Sequence, residues 1–446
     1  MTTPDYGTSR RTFLYQSGLL MAGAATATAA PRPRSGNEQL RVAAVGVNGM
    51  GWSDLSNVGS HPSVRFTAFC DIDNSRFDRA AAAFSGVRQW QDYRRMFDDA
   101  ADQIDAVIVS TPDHMHASIA MQALAMGKHV YCQKPLTHTV WEARQMRLLA
   151  EQKGVTTQMG NQIHSHQAYR TGVRLIQGGA IGKVTQVHSW VGVQGRQYCN
   201  RTDRPPAGAV PPGVDWNLWL GAAPERPFAA DVYHPFKWRD WQDFGSGALG
   251  DFGCHILDPV FTALGIRNPL TVTAEHSGTN DEVWPGPETV TWEFAGTELT
   301  SDRIQVIWRD GGLQPPQELA KMPADATLPK SGSLFIGEKG NMVLPHVGMP
   351  MLFPAEKYAD YEIPEIAGSS HWHDWVDAAL AGKQTTDGFS YAGPLTETVQ
   401  LGNIAARVPG TVLKWDAEHM TTGNTRADAM LTKHYRRGFE VPAAGG

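Results

Sequence analysis

Residues Arg41–Gly51 read RVAAVGVNGMG, an apolar run ending in a glycine-rich turn, and Phe66–Asp73 read FTAFCDID, a second apolar run closing on Asp71. A strand that feeds such a turn and then opens a helix presents free backbone N–H groups and a positive helix end to a pyrophosphate. Gly46 permits the tight turn and Gly51 permits close packing of helix on strand. Asn48 stands where this fingerprint usually has its middle glycine, with glycine displaced to Gly49, and asparagine tolerates left-handed backbone angles. Gly46, Asn48, Gly49, Met50 and Gly51 are therefore the turn's candidate cofactor contacts. Asp71, at the end of the next strand, is placed to hold both ribose hydroxyls, and its charge would repel the extra phosphate of NADP. NAD is the expected cofactor and NADP the less favoured one, with Arg76 nearby as the residue able to accommodate a 2′-phosphate.

Working outward, strands are expected at 41–47, 64–71, 106–110, 129–132 and 155–159, with helices between them at 50–58, 75–84, 115–126 and 140–152. Strands alternating with helices at this spacing indicate a doubly wound parallel sheet. After residue 160 the pattern changes. Helices are expected at 168–177 and 245–264, and strands at 184–193, 270–276, 289–294, 303–308 and 333–336. Runs of strands after an alternating region indicate an α+β second domain on a mostly antiparallel sheet. Two late helical patterns, 371–380 and 394–406, are candidates to fold back on the first domain.

The chain has 446 residues, 41% hydrophobic content and a formal net charge of -6. Its length allows two or more domains, and its charge argues against a nucleic-acid partner. Cys70, Cys132, Cys199 and Cys254 are widely spaced, which argues against both a disulfide framework and a cysteine metal cluster. The first thirty residues differ in kind. Ser9-Arg10-Arg11-Thr12-Phe13-Leu14 is a twin-arginine pattern and Gly18–Ala30 is a short apolar run, too short for a permanent membrane anchor. Ala27-Thr28-Ala29 offers a cleavage site, with Ala22-Gly23-Ala24 as competitor. The expected organisation is a signal peptide at 1–30, a linker at 31–39, a nucleotide-binding domain at 40–160, a substrate and oligomerisation domain at 161–415 and a tail at 416–446. Location in the periplasm or cell envelope follows, with the cytoplasm as the alternative.

Three further segments complete a set: Ser110-Thr111-Pro112-Asp113-His114-Met115-His116, Cys132-Gln133-Lys134-Pro135-Leu136, and Gly250-Asp251 through His255. With the glycine turn, this ordered set resembles the Gfo/Idh/MocA oxidoreductases, a family that includes exported sugar-acting members such as glucose–fructose oxidoreductase. The resemblance implies a Rossmann domain followed by an α+β domain on an open-faced sheet. It also implies that Thr111, Pro112 and His116 line the nicotinamide–ribose side, that Asn161 approaches the nicotinamide, and that Lys134 touches both cofactor and substrate. Asp251 and His255 match the aspartate and histidine of the family's substrate helix. Gln133 replaces the glutamate that usually precedes the lysine, and loss of that negative neighbour should lower the lysine's pKa relative to a glutamate-containing site.

Oxidation of a secondary alcohol needs a base for the hydroxyl proton and support for the developing oxyanion. His255 is expected as general acid/base, Lys134 as electrostatic support or base, and Asp251, one helical turn from His255, as the group that orients the ring. Residues 216–244 are dense in aromatics (Trp216, Trp219, Tyr233, Phe236, Trp238, Trp241), most of them core, with Trp238 and Arg239 singled out as sugar contacts. His164 is a further substrate candidate. The pairs His114/His116, His164/His166 and His371/His373 bring no third ligand at local spacing, so no metal site is expected. A carbohydrate is the expected substrate and a homo-oligomer the expected state. Export would carry the dinucleotide with the protein and require its recycling in each turnover. An oxidoreductase acting on a sugar meets that requirement, and so does a glycosidase, lyase or epimerase working by transient oxidation of a ring carbon. A non-catalytic sensor is the remaining reading.

Overall fold

The computed structural model describes residues 39–192 and 198–445. The expected leader and the linker up to residue 38 lie outside the described residues. Strands and helices alternate as β1 (Leu40–Val45), α1 (Met50–Gly59), β2 (Val64–Cys70), α2 (Phe77–Ala83), β3 (Arg88–Trp90), α3 (Tyr93–Ala100), β4 (Ala106–Val109), α4 (Asp113–Ala125), β5 (His129–Gln133), α5 (Val140–Lys153) and β6 (Thr157–Gly160). The strands pair in the order β3-β2-β1-β4-β5-β6, all parallel. Order reverses beside β1, which makes its carboxyl end the natural binding crevice.

The central strands are apolar throughout because both faces are covered. Val42 and Ala44 of β1 join Ala106 and Ile108 of β4 on one face, while Ala43, Val45, Val107 and Val109 pack on the other. Elements β3 and α3 are absent from the sequence expectation. Three residues, two of them exposed, carry no strand periodicity in β3. The α3 segment does bury Tyr93, Met96, Phe97 and Ala100 at helical spacing, and Asp92 caps it.

The second domain begins with α6 (Gln167–Gln177), β7 (Val184–Trp190), α7 (Trp216–Leu220) and α8 (Gly247–Leu264). It continues through β8 (Pro269–His276), β9 (Glu288–Ala295), β10 (Thr300–Arg309), β11 (Gly332–Gly337), β12 (Asn341–Pro345) and β13 (Met351–Phe353). After α9 (His371–Ala381) and α10 (Phe389–Ala406), β14 (Leu413–Lys414) completes an eight-stranded sheet in the order β13-β12-β11-β7-β10-β9-β8-β14. Among the described residues of this sheet only the β7–β10 pairing is parallel. Along β9, Val290, Trp292 and Phe294 are buried and the residues between them are half-exposed, so one face of the sheet is covered and the other open. Helix α8 lies on the covered face, between the two domains, and ends at the left-handed Gly265.

Two late segments return to the Rossmann domain. Trp375, Val376 and Ala379 of α9 close the face of the parallel sheet formed by Val42, Ala44 and Ile108. Residues beyond 415, read from the sequence only as a tail, form α11 (Thr425–Asp428) and then cross the outside of α4 and α5. Trp141 donates its backbone N–H to Leu431, Ser118 donates to the Phe439 carbonyl, and Lys433 pairs with Glu142 at 2.9 Å. Phe439 and Val441 are buried.

Candidate active site

A cavity of about 680 Å³ opens at the carboxyl end of the parallel sheet. Its floor is the glycine turn. A Cβ on Gly46 would collide with the Ser110 carbonyl, one on Gly51 would collide with the Gly46 carbonyl, and Gly46 and Gly49 both have positive φ. Asn48, expected to exploit its tolerance of left-handed angles, is not among the positive-φ residues; its Oδ1 instead accepts the Gly49 N–H at 2.8 Å. Among the described residues no side chain caps the start of α1, leaving its N-terminal amides to face an anion. Gly46, Asn48, Gly49 and Met50 line the cavity, and Gly51 lies beneath it.

Asp71 stands at the rim and accepts the Val47 and Asp73 N–H groups, each at 3.1 Å. Burial pushes its carboxyl up to about 6, against those two hydrogen bonds. Arg76 lines the same rim, but its Nε is held by Asp73 at 2.8 Å. Thr111 and Pro112 form the far wall, and the buried Thr111 hydroxyl oxygen has no hydrogen-bond partner among the described residues. An orphaned hydroxyl beside an uncapped helix start and a ribose-height carboxylate is the donor and acceptor set that a dinucleotide would complete.

His116 does not line this wall. It is buried, with Nδ1 2.9 Å from the Pro135 carbonyl and Nε2 2.8 Å from the Thr111 carbonyl, so it ties together the two loops that do. Asn161 and His255 are likewise absent from the cavity's lining. The Asn161 amide donates to the Cys254 carbonyl at 3.2 Å, which aims Oδ1 at Nδ1 of His255, 2.5 Å away.

At the inner end of the cavity Lys134 reaches across from β5 to α8. Its Nζ lies 2.6 Å from Asp251 Oδ1 and 2.5 Å from the Asp251 carbonyl. The Tyr198 phenol donates to the other carboxylate oxygen, and Arg239 Nε approaches Oδ1 at 3.4 Å. Burial would raise the Asp251 carboxyl, but the Lys134 and Arg239 cations and the two hydrogen bonds hold it well below the ordinary carboxylate range. Asp251 therefore orients Lys134, and Asn161 orients His255, where the sequence spacing assigned the ring to Asp251. A carbonyl oxygen facing Nδ1 places the proton there and leaves Nε2 as the basic lone pair. Burial and the Lys134 charge keep this imidazole neutral.

Trp238 and Arg239 both line the cavity. The guanidinium lies 4.3 Å from the ring centroids of Trp238 and Phe236, which fixes its plane. Most of the other aromatics of residues 216–244 form a core in which Trp219, Tyr233, Trp241 and Phe244 are buried. Tyr198, Asp113 and Phe439 are participants that pattern reading missed. Burial raises Asp113 to about 7, and Phe439 forms part of the outer wall. His164 belongs elsewhere, lining a second cavity of about 700 Å³ with Asp258 and Asp387.

Gln133 faces away from Lys134. Its amide donates to both oxygens of Asp54, at 3.0 and 2.8 Å, and Ser110, Tyr131 and Trp372 of α9 donate to the same carboxylate.

These features define a Rossmann-type protein with a C-terminal sheet domain and an ionic cluster where the two meet. The chain belongs to the Gfo/Idh/MocA oxidoreductase family. Residues 40–161 match the oxidoreductase family model for the NAD-binding Rossmann fold, and residues 171–294 match the model for its C-terminal alpha/beta domain. Levoglucosan dehydrogenase of Pseudarthrobacter phenanthrenivorans is 28% identical over 180 residues, 40% of this chain and 37% of the relative. A glycosyl hydrolase family 109 protein of a Shewanella species is 27% identical over 201 residues, 39% of this chain and 44% of the relative. The chain thus matches less than half the length of these curated relatives. The WlbA dehydrogenase of Bordetella pertussis, solved with NADH and UDP-GlcNAcA, superposes with a TM-score of 0.60 at 15% identity, covering 85% of this chain and 99% of that one.

Proposed function

We propose that this protein is an NAD-dependent oxidoreductase acting at a secondary alcohol of a sugar or sugar derivative. The observation that carries this reading is the Lys134–Asp251–Tyr198 cluster, set at the inner end of a cavity whose other end is the Gly46 turn and Asp71. When bound, nicotinamide supplies a hydride acceptor for the alcohol carbon. The chain's own residues do the rest. The Lys134 ammonium, anchored by Asp251, stabilises the oxygen as its proton leaves. Neutral His255, one helical turn beyond Asp251 on α8 and outside the cavity's lining, is the proposed acceptor of that proton through Nε2. Trp238 offers an apolar face and Arg239 a hydroxyl or carboxylate partner to the ring. Asp71 favours NAD over NADP by charge, and Asp73 occupies the Arg76 side chain that would otherwise receive a 2′-phosphate.

One observation favours a second reading, transient oxidation of a ring carbon leading to elimination or hydrolysis. Tyr198 and Asp113 add two proton carriers beside Lys134, and such chemistry needs an acid and a base beyond the one serving the oxidised hydroxyl. Matches to glycosyl hydrolase family 109 proteins agree with it.

The twin-arginine leader supports export to the periplasm or cell envelope, where captive and internally recycled NAD would be required. The open sheet face supports a homo-oligomer. Exported protein purified without added nucleotide, then denatured, should release near-stoichiometric NAD by absorbance and mass. An empty protein that binds NAD weakly would remove the captive-cofactor reading. Exchange of the sugar's C2 proton with solvent deuterium would favour transient oxidation over simple dehydrogenation.

A further inference from the structure

We propose that the second cavity is a binding site for a first-row divalent cation of the Zn²⁺ type, held by His164, Asp258 and Asp387. One ligand atom from each of the three lies within 4.8 Å of the others. They come from three elements: the turn after β6, α8, and the loop leading into α10. Asp387 is 1% exposed and, among the described residues, neither of its buried carboxylate oxygens has a hydrogen-bond partner. Folding does not leave such a group unsatisfied without cost. Its neighbours make the need sharper. Asp258, also buried, already accepts from His164 Nδ1 at 2.8 Å and from the Tyr391 phenol at 2.7 Å, while the ring's Nε2 meets the Thr386 hydroxyl at 3.0 Å, so the imidazole has no nitrogen left for Asp387.

One imidazole nitrogen and two carboxylates form the mixed donor set that suits Zn²⁺, and three protein ligands beside an open cavity leave a position for water. Metal–ligand distances of about 2.0–2.2 Å place tetrahedral ligand atoms roughly 3.3–3.6 Å apart, so ligand atoms within 4.8 Å of one another close on a cation by side-chain movements of at most about 1.5 Å. The imidazole enters as the neutral ring and its proton is released to solvent. Spacing along the chain could not reveal this set, because His164 and Asp258 are 94 residues apart and Asp387 follows much later. The expectation of no metal site rested on local spacing and on the nucleotide role given to His116.

The site bears on the first cavity through α8. Asp251, His255 and Asp258 follow one another at helical spacing on one stripe of that helix, and His164 lies in the turn that begins at Asn161. A bound cation would clamp the helix carrying Asp251 and His255 to the end of the parallel sheet.

The test is calorimetric titration of ZnCl₂ into the full, chelator-stripped chain, with MgCl₂ as hard-cation control. One Zn²⁺ per chain with Kd below about 10 µM, a melting temperature raised by several degrees and no response to Mg²⁺ would support the site. Asp387→Asn should weaken Zn²⁺ by about 50-fold while NAD affinity and far-UV dichroism match the unmodified chain. Should that variant not fold, Co²⁺ in the unmodified chain provides a second readout, visible bands of a low-coordinate nitrogen–oxygen site. No Zn²⁺ uptake, Co²⁺ spectra of the hydrated ion, or Asp387→Asn binding as tightly as the parent would each overturn the proposal.

Discussion

Gln133 and Lys134 are consecutive, yet each serves a different buried carboxylate. Gln133 points to Asp54 inside the Rossmann domain, and Lys134 points to Asp251 across the domain boundary. Asp54 is fully buried among neutral donors, and burial pushes it up to about 6 despite four of them. Asp251 meets an ammonium, a guanidinium and a phenol, and is held low. Neutral hydrogen bonds satisfy a carboxylate without fixing its charge, whereas cations fix the charge and are oriented in return. The first arrangement joins α1, β5 and α9. The second prepares an electrostatic site facing a cavity.

The largest effect should come from breaking the charged member. Lys134→Met should lower kcat on the proposed sugar substrate by at least about 10³-fold while NAD retention changes less than about tenfold. Unaltered turnover would remove Lys134 from the chemistry. Next, Gln133→Glu restores the family's usual residue but sets a second carboxylate against Asp54. It should cost about 4 kcal/mol in urea unfolding, and Asp54→Asn in the same chain should recover at least half of that. Full additivity of the two changes would show that they do not interact.

The glycine turn and Asp71 were legible from their places at strand ends, whereas Lys134 and Asp251 were legible through the family resemblance and not from spacing alone. Periodicity made both sheets legible as classes of fold. Residues that act through tertiary contact were not. Tyr198 lies in an irregular loop, Asp387 in a short connection, and Asp54 on a helix whose buried side reads as ordinary amphipathicity. His116 and Asn161 sit beside the expected residues, but backbone carbonyls claim His116, and a carbonyl and an imidazole claim Asn161. Gln133 read as a missing charge next to Lys134, and only its direction showed which carboxylate it serves.

The comparison sharpens with pH. The folded pKa of Asp54 lies near 6, above its ordinary 3.8, so the stability from its protonated form is present near pH 4 and is lost as pH rises through 6. The unmodified chain should therefore lose about 2 kcal/mol relative to Asp54→Asn between pH 4 and pH 7, read from urea midpoints. Asp251 has the opposite sign: its stabilisation is present above its ordinary pKa of 3.8 and is lost as pH falls further. A constant difference between the chain and Asp54→Asn across that range would mean that Asp54 titrates normally. The smallest effect belongs to Tyr198→Phe, which removes one donor from Asp251 and leaves its cations. It should reduce kcat about tenfold with a stability change near 1 kcal/mol.

The outer wall of the nucleotide cavity has a consequence for the order of events in making the protein. The floor is laid down with the glycine turn early in the described sequence, but Phe439, which faces it, is synthesised near the end. A chain emerging in sequence from the ribosome folds its first sheet with that wall missing. Cofactor capture is then a late step, timed by the arrival of the strap that crosses α4 and α5.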